Sequence, residues 1–215
     1  MSADTLKRSM HSKACTKYVE NIRLDEYSGS LADCLYTYYR KYLENRDILI
    51  SDICSWPCTL FRRLDVPVAG WQSDDYVMHR IRCTDKDAFR KGEPRNDWCW
   101  IRTGTADANG ALRGLLPARV IRLLKLKDSI RDRPRCLALV KPLKVRNRGA
   151  PGENHTLVRV IESPTEDGHL SQLWIVNIKS IWGLAHLVPE STEPGNRNFF
   201  VNNSIDLLTF NTIYQ

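Results

Sequence analysis

The pattern of apolar positions along the chain is clearest toward its C-terminal end. Leu173–Ile178 is the strongest candidate strand, and Cys136–Val140 and Thr156–Ile161 have a similar apolar character. Turn-forming residues separate these segments, and about six short strands follow one another from Trp98 onward. This rhythm predicts a small antiparallel barrel or sandwich, closed by a helix from about Asp206 to Tyr214.

The part of the chain before residue 94 has a pattern that favours helices. Apolar residues recur at helical spacing in Ser30–Glu44, at Leu31, Leu35, Tyr38 and Tyr42. Ser30 is placed to cap this helix, and the charge of Asp33 suits its first turn. A short helix is predicted to run from Pro57 through Leu64, whereas alternation in Tyr76–Cys83 permits a strand. Residues 1–29 are expected to form a loose arm.

Residues 116–127 fit two structures equally well. Arg119, Arg122 and Lys125 recur every three positions, as in a basic amphipathic helix that begins near Pro117. The short length and the flanking turns also fit a strand with outward-pointing arginines. The sequence leaves the choice between helix and strand open here.

Positive charge is concentrated in one segment. The chain has a net charge of +7, and residues 111–150 contain twelve Lys and Arg against Asp128 and Asp132. A local excess of this kind is typical of a surface that binds nucleic acid, although it also describes ordinary solvated loops. The candidate nucleic-acid contacts are Arg119, Arg122, Lys125, Lys127, Arg131, Arg133, Arg135, Lys144, Arg146 and Arg148.

Catalytic and cofactor signatures are not evident in the sequence. The glycines form neither nucleotide-binding fingerprint, and Cys54 and Cys58 have no second pair at a spacing suited to zinc. His186 and Asp206 are the best polar candidates, but no nucleophile accompanies them. We therefore expect no enzyme activity, no metal and no cofactor. Seven cysteines at irregular spacing and an N-terminus without an apolar signal segment predict an intracellular chain with reduced thiols.

Several separated motifs carry a resemblance to a known family. They are His79–Thr84, Pro94–Trp100, Gly110–Asp128, Asn177–Glu190 and Val201–Tyr214. Together they resemble the C-terminal region of proteins encoded by fungal transposons of the Plavaka type, which are related to cut-and-paste transposases. The resemblance covers roughly residue 30 to the end. It implies a non-catalytic module in the nucleus, because the catalytic carboxylates of such transposases lie in another domain and match no residues here.

The sequence thus predicts an α+β fold with three parts. Residues 1–29 form a flexible arm, 30–93 a mainly helical subdomain, and 94–215 an antiparallel β-barrel-like domain with a C-terminal helix. The barrel resembles SH3-like or bromo-adjacent-homology barrels, an analogy that specifies no function by itself.

Two functions remain open at this point. The first is a non-catalytic module of transposon origin that binds DNA non-specifically through the basic surface at 111–150. The alternative is a protein-interaction module that docks on a transposase or a chromatin protein. In that case Trp98 and Trp100 are the candidate partner-binding residues, because exposed tryptophans commonly anchor protein interfaces. No membrane contact and no small-molecule substrate are expected.

Overall fold

The structure is a computed structural model that describes residues 8–24, 30–42, 47–69, 76–84, 95–103, 114–128, 134–145, 158–162, 173–193 and 197–202. These residues form thirteen strands and two α-helices. The strands are β1 (Ser9–Tyr18), β2 (Pro57–Ala69), β3 (Tyr76–Thr84), β4 (Arg95–Asn96), β5 (Trp98–Arg102), β6 (Leu115–Leu126), β7 (Arg135–Pro142), β8 (Lys144–Val145), β9 (Arg159–Ile161), β10 (Trp174–Asn177), β11 (Ile181–Leu184), β12 (Leu187–Pro189) and β13 (Asn198–Val201). The helices are α1 (Leu31–Tyr42) and α2 (Ile50–Cys54), and short 3-10 turns follow β1 and β10.

Nine strands form one curled antiparallel sheet. Its main order is β10-β7-β6-β2-β3-β4, with β1 paired to β2, and with β11 joined to β6 through β5. The C-terminal part of β6 pairs with β2, and the N-terminal part of β6 pairs with β5. The sheet therefore divides into two arms, one that continues through β2 and one that continues through β5. Strand β11 returns to contact β2 and β3, which closes the curl. The remaining strands form a separate sheet in the order β12-β13-β9-β8.

A bulge in β6 sets which face each of its side chains occupies. Val120 pairs with Val140 and Arg122 pairs with Leu139, so Ile121 is an extra residue in the ladder. An extra residue reverses the alternation of side chains beyond it. Arg119 and Arg122 therefore share one face of the sheet, whereas Lys125 lies on the opposite face.

The two faces of the sheet contribute to different cores. On one face, α1, α2 and the chain around Val19–Leu24 cover side chains that include Leu124, Leu126, Leu137 and Leu139. On the other face, the curl of the sheet encloses residues such as Leu123, Ala138, Val140, Ile81 and Ile181. A third, smaller core surrounds Trp100 and lies between strands β5 and β6 and the second sheet.

The predicted fold class is wrong. The described chain is mostly β and contains only two short α-helices, whereas a mainly helical N-terminal subdomain and a separate SH3-like barrel were expected. Residues 9–18 form β1 rather than a loose arm, and Pro57–Ala69 is a long strand rather than a helix. The sheet also continues across residue 94, because β2 pairs with β6. The predicted C-terminal helix lies outside the described residues.

Several local predictions are confirmed. Helix α1 begins after Ser30, whose hydroxyl accepts a hydrogen bond from the Asp33 backbone N–H at 3.2 Å and donates to the Asp33 carboxylate at 2.6 Å. The Ser30 backbone N–H also donates to the Asp33 carboxylate at 3.4 Å, which completes the reciprocal capping expected from that pair. Strands were expected at β7 and β10 and were permitted by the pattern at β3, and all three form. Residues 115–126 are a strand, which resolves the open choice between helix and strand.

Candidate nucleic-acid interface

The ten basic residues predicted to contact nucleic acid do not form one continuous surface. Arg131, Arg133, Arg146 and Arg148 lie outside the described residues. The other six fall into two groups: three arginines whose guanidinium groups contact other groups of the protein, and three lysines that are exposed. The arginines are Arg119, Arg122 and Arg135, and the lysines are Lys125, Lys127 and Lys144.

Arg119 is bound at the junction of the two sheets. Its guanidinium lies 5.8 Å from the centre of the Trp98 ring, and its Nη1 is 4.0 Å from Oε1 of Glu162. Lys141, directly opposite Arg119 on β7, places its Nζ 3.0 Å from the same Glu162 oxygen. Two like charges directly opposite on neighbouring strands repel each other. Glu162 compensates for this repulsion, so Arg119 is part of the packing between the sheets.

Arg135 belongs to a buried polar cluster beneath α1. Its Nε is 2.8 Å from Oδ2 of Asp128, and the Tyr39 hydroxyl donates to the same carboxylate oxygen. The Arg135 guanidinium also lies 5.3 Å from the centre of the Tyr39 ring, which packs edge-on against Trp56 at 5.1 Å. Burial first, and then the hydrogen bond to Asp128, raise the pKa of Tyr39. The cluster joins α1 to the sheet and leaves Arg135 little capacity for an external ligand.

Arg122 and Lys144 differ from the other candidates. Arg122 is half-buried, and its Nη1 donates to the Ile121 carbonyl at 2.9 Å. Lys144 is exposed, but it is on β8 in the second sheet. Neither residue shares a face with the exposed end of β6.

Lys125 and Lys127 are exposed on one face of four adjacent strands. The register places Thr16, Thr59, Lys125 and Cys136 in one row across β1, β2, β6 and β7. In the next row on this face, Tyr18 pairs with Pro57, whose carbonyl accepts a hydrogen bond from the Lys127 backbone N–H at 3.1 Å. We call this surface the lysine face, and its members are Thr16, Tyr18, Pro57, Thr59, Lys125, Lys127 and Cys136.

The lysine face has no negative charge among its seven residues. The Tyr18 side chain is 54% exposed, and a shallow hollow of about 490 Å³ lies beside it, lined by Thr16, Lys17, Tyr18, Asn21 and Pro57. Burial raises the pKa of the Cys136 thiol, and the charge of neighbouring Lys125 opposes this shift. A phenol ring beside two ammonium groups can stack on a base while the lysines contact phosphates.

Sequence reasoning missed Tyr18 and the other β1 residues of this surface. β1 is predominantly polar because it pairs only with β2 among the described strands and is therefore an exposed edge. An exposed edge strand lacks the apolar alternation that identifies half-buried strands. The available signal was a run of ten residues without Gly, Pro or an acidic residue, with an aromatic residue at its end.

The two tryptophans predicted to anchor a partner are mainly packing residues. Trp100 is completely buried. Trp98 is half-buried, with its ring 5.2 Å from that of Phe199 and with Arg119 over its face. Trp100 therefore offers no surface to a partner, and Trp98 offers only part of its ring.

Other candidate chemistry is sparse in the part of the chain that the structure describes. No group of three or more His, Cys, Asp or Glu side chains there could hold a metal ion, and no disulfide joins the seven cysteines. His186 is half-buried, and Asp206 lies outside the described residues. None of the described helices has the length and apolar character needed to cross a membrane.

Comparison with known proteins identifies no relative. No protein-family model matches the chain, and no curated protein or solved structure matches it. The resemblance to Plavaka-type transposon proteins therefore stays a prediction that rests on the sequence motifs alone.

Proposed function

We propose that this protein is a non-catalytic module that binds single-stranded nucleic acid without sequence specificity, through the lysine face. The observation that carries the proposal is that Lys125, Lys127 and the exposed Tyr18 ring lie on the same surface, which has no acidic residue among its members. Two ammonium groups supply phosphate contacts, and the ring supplies a stacking surface that accepts any base.

The distance between the two lysines suits a bound single-stranded nucleic acid. Lys125 and Lys127 are two residues apart, which corresponds to about 6.7 Å along an extended strand. Tyr18 lies two strands away from Lys127 in the row through Pro57, or about 10 Å at the usual distance between neighbouring strands. The backbone of a single-stranded nucleic acid would follow the end of β6, and a base would turn toward Tyr18 and the hollow beside it.

Fluorescence anisotropy with a labelled oligothymidylate tests the proposal. We expect weak binding that falls steeply between about 50 and 200 mM salt, because each phosphate contact releases counterions. The charge-reversed variant K125E/K127E should lose most of the affinity and lower the salt slope by about 1.4, since each single-strand contact contributes about 0.7. Tyr18→Ala should weaken binding without changing the slope.

The matched control is K144E/K179E. It reverses two exposed lysines elsewhere on the protein and changes the net charge by the same amount. If both double variants weaken binding equally, the attraction is due to the overall charge and the lysine face is not the site. If labelled duplex binds as tightly as the oligothymidylate and Tyr18→Ala binds normally, the single-strand proposal is wrong.

Docking on a protein remains the alternative function, and the same titration separates the two. Absence of binding at low salt would remove the nucleic-acid proposal and favour a protein partner. The transposon origin and the nuclear location belong to the proposal as well, and they depend on the family resemblance.

A further inference from the structure

Two arginines flank the start of β11, far from the lysine face. Arg8 immediately precedes β1, and its Nε donates to the Ile181 carbonyl at 3.0 Å. Arg102 ends β5, which pairs with β11, and its guanidinium lies 5.5 Å from the centre of the Trp182 ring. Consecutive residues of β11 thus hold one guanidinium by a hydrogen bond and the other by stacking.

The positive charges of this pair are not neutralised by a carboxylate of the described chain. Neither arginine forms an ion pair there, and the carboxylate of Asp65, which pairs with Ser9 beside Arg8, faces Arg63 and His11 instead. Its carboxylate oxygens lie 3.1 Å from Arg63 Nε and 3.3 Å from His11 Nε2. Burial first, and then the charge of Arg102, lower the pKa of Arg8. The fold therefore holds a partly buried arginine, Arg8, and an exposed one, Arg102, against consecutive residues of β11.

We propose that Arg8, Arg102 and Trp182 form a binding site for a phosphoryl group. Guanidinium groups bind phosphate oxygens through paired N–H donors, and two of them match a group whose charge is about −1.5 to −2 at neutral pH. Both arginines are already held in place, Arg8 by the Ile181 carbonyl and Arg102 by the indole ring. Binding therefore requires little further ordering of these side chains.

This site is separate from the lysine face. Arg8 adjoins the first residue of β1, whereas Tyr18 is the last, and ten residues of strand span about 30 Å. The site would bind a phosphoryl group whether or not the lysine face binds nucleic acid. An experiment that excludes binding at one site therefore does not exclude binding at the other.

Titration of the intact chain with inorganic phosphate tests the site. Isothermal calorimetry measures affinity, and the indole N–H signal of Trp182 in a nitrogen–proton NMR spectrum, assigned with Trp182→Phe, reports the location. We expect phosphate to shift that signal and to bind at least tenfold more weakly to Arg102→Gln, whose exposed side chain can be replaced without disturbing a core. Arg8→Gln should show the same loss.

Arg62→Gln is the matched control, since it removes one exposed arginine from β2. It should bind phosphate as the wild type does. Without phosphate, Arg102→Gln should unfold close to the wild-type temperature, because removal of a repulsive neighbour of Arg8 offsets the loss of stacking on Trp182. Equal binding by Arg62→Gln and Arg102→Gln, or an unmoved Trp182 signal, would overturn the proposal.

Titration with a 5′-phosphorylated dinucleotide, and with the same dinucleotide without that phosphate, shows whether the site takes a phosphoryl group of a nucleotide or free phosphate. Tighter binding of the phosphorylated dinucleotide than of inorganic phosphate would show that the Trp182 side of the site also accepts a base. Equal binding of both phosphate ligands would define a site for the phosphoryl group alone. Binding of the dinucleotide that does not depend on its 5′-phosphate would contradict the assignment.

Discussion

At the start of β6, Arg119 turns toward Glu162, and Lys141 from the neighbouring strand binds the same carboxylate. At the end of β6, Lys125 and Lys127 point into solvent, and their neighbours in the rows of the sheet are uncharged. Both pairs belong to one basic stretch of sequence. The difference is that the first pair has a partly buried acid within reach, whereas the seven described residues of the lysine face include none.

The bulge at Ile121 produces this separation. It places Arg119 and Arg122 on the face that also carries Arg135, and it turns Lys125 to the other face. Within residues 114–128, one face therefore holds Arg119, which joins β6 to the second sheet, and Arg122, which binds a backbone carbonyl, whereas the other face holds lysines that are free to bind a ligand. Arg119, Arg135 and Lys141 are each held by a carboxylate, which is the usual condition for burying a charge.

The largest expected effect comes from removing the acid at the end of β6. Asp128→Ala leaves Arg135 and the Tyr39 hydroxyl buried without their shared partner. Loss of one member of a buried ion pair costs about 3–5 kcal/mol of unfolding free energy. Urea denaturation measures the change. Tyr39→Phe, which keeps the ion pair, should lose less, and a loss below about 1 kcal/mol in Asp128→Ala would show that the cluster is not stabilising.

A smaller and more local effect is expected at the start of β6. Glu162→Gln leaves Lys141 with a neutral partner and Arg119 without a counter-ion, at a cost of about 2 kcal/mol. Because Glu162 joins the second sheet to β6 and β7, amide exchange should accelerate in β9 and β13 while α1 stays protected. Uniform acceleration across the chain would contradict the view that this ion pair serves one junction.

A third prediction uses the thiols beside the two ends of β6. Cys58 pairs with Leu126, and Cys99 pairs with Ala118. Burial raises the pKa of Cys58 to about 12, and it raises the pKa of Cys99 as well. Each thiol therefore stays protonated in the folded protein when the unfolded chain, with a thiol pKa of about 8.5, begins to lose its proton.

The sign of the effect follows from proton linkage. A raised folded pKa gives stability that is complete below pH 8.5 and declines as the pH rises toward the folded value, by about 1.4 kcal/mol per thiol at pH 9.5. Unfolding at pH 7.5 and 9.5 should therefore differ less in Cys58→Ala than in the wild type. Cys99→Ala should show the same reduction, because both ends bury a thiol. If both variants lost as much unfolding free energy between pH 7.5 and 9.5 as the wild type does, this account would be wrong.

Local features of this fold could be predicted from the sequence, but its long-range pairing could not. Ser30 and Asp33 specified the start of α1 because their capping is a local interaction. β2 was mistaken for a helix because Pro57 suits a first helical turn and Leu60 and Leu64 also fit helical spacing. The buried side chains of β2 in fact alternate along the strand.

The arrangement of the basic residues could be predicted from the sequence only in part, for a similar reason. The sequence located the basic residues, but their roles depend on acids that the fold brings near them. Glu162 is 43 positions from Arg119, and Tyr39 is 89 positions from Asp128. The spacing of three between Arg119, Arg122 and Lys125 suggested one helical face. In the structure, the bulge places Lys125 on the face opposite the two arginines.

The smallest expected effect tests the exposed lysines themselves. Lys125→Gln and Lys127→Gln should each change the unfolding free energy by no more than about 0.5 kcal/mol, as is usual at exposed positions without partners. Arg119→Gln should cost about 1 kcal/mol, because it loses both the stacking on Trp98 and the attraction to Glu162. Urea unfolding of the three variants under one condition provides the comparison. If the lysines contributed as much to the unfolding free energy as Arg119 does, they would be structural residues, and the lysine face would not be a surface available to a ligand.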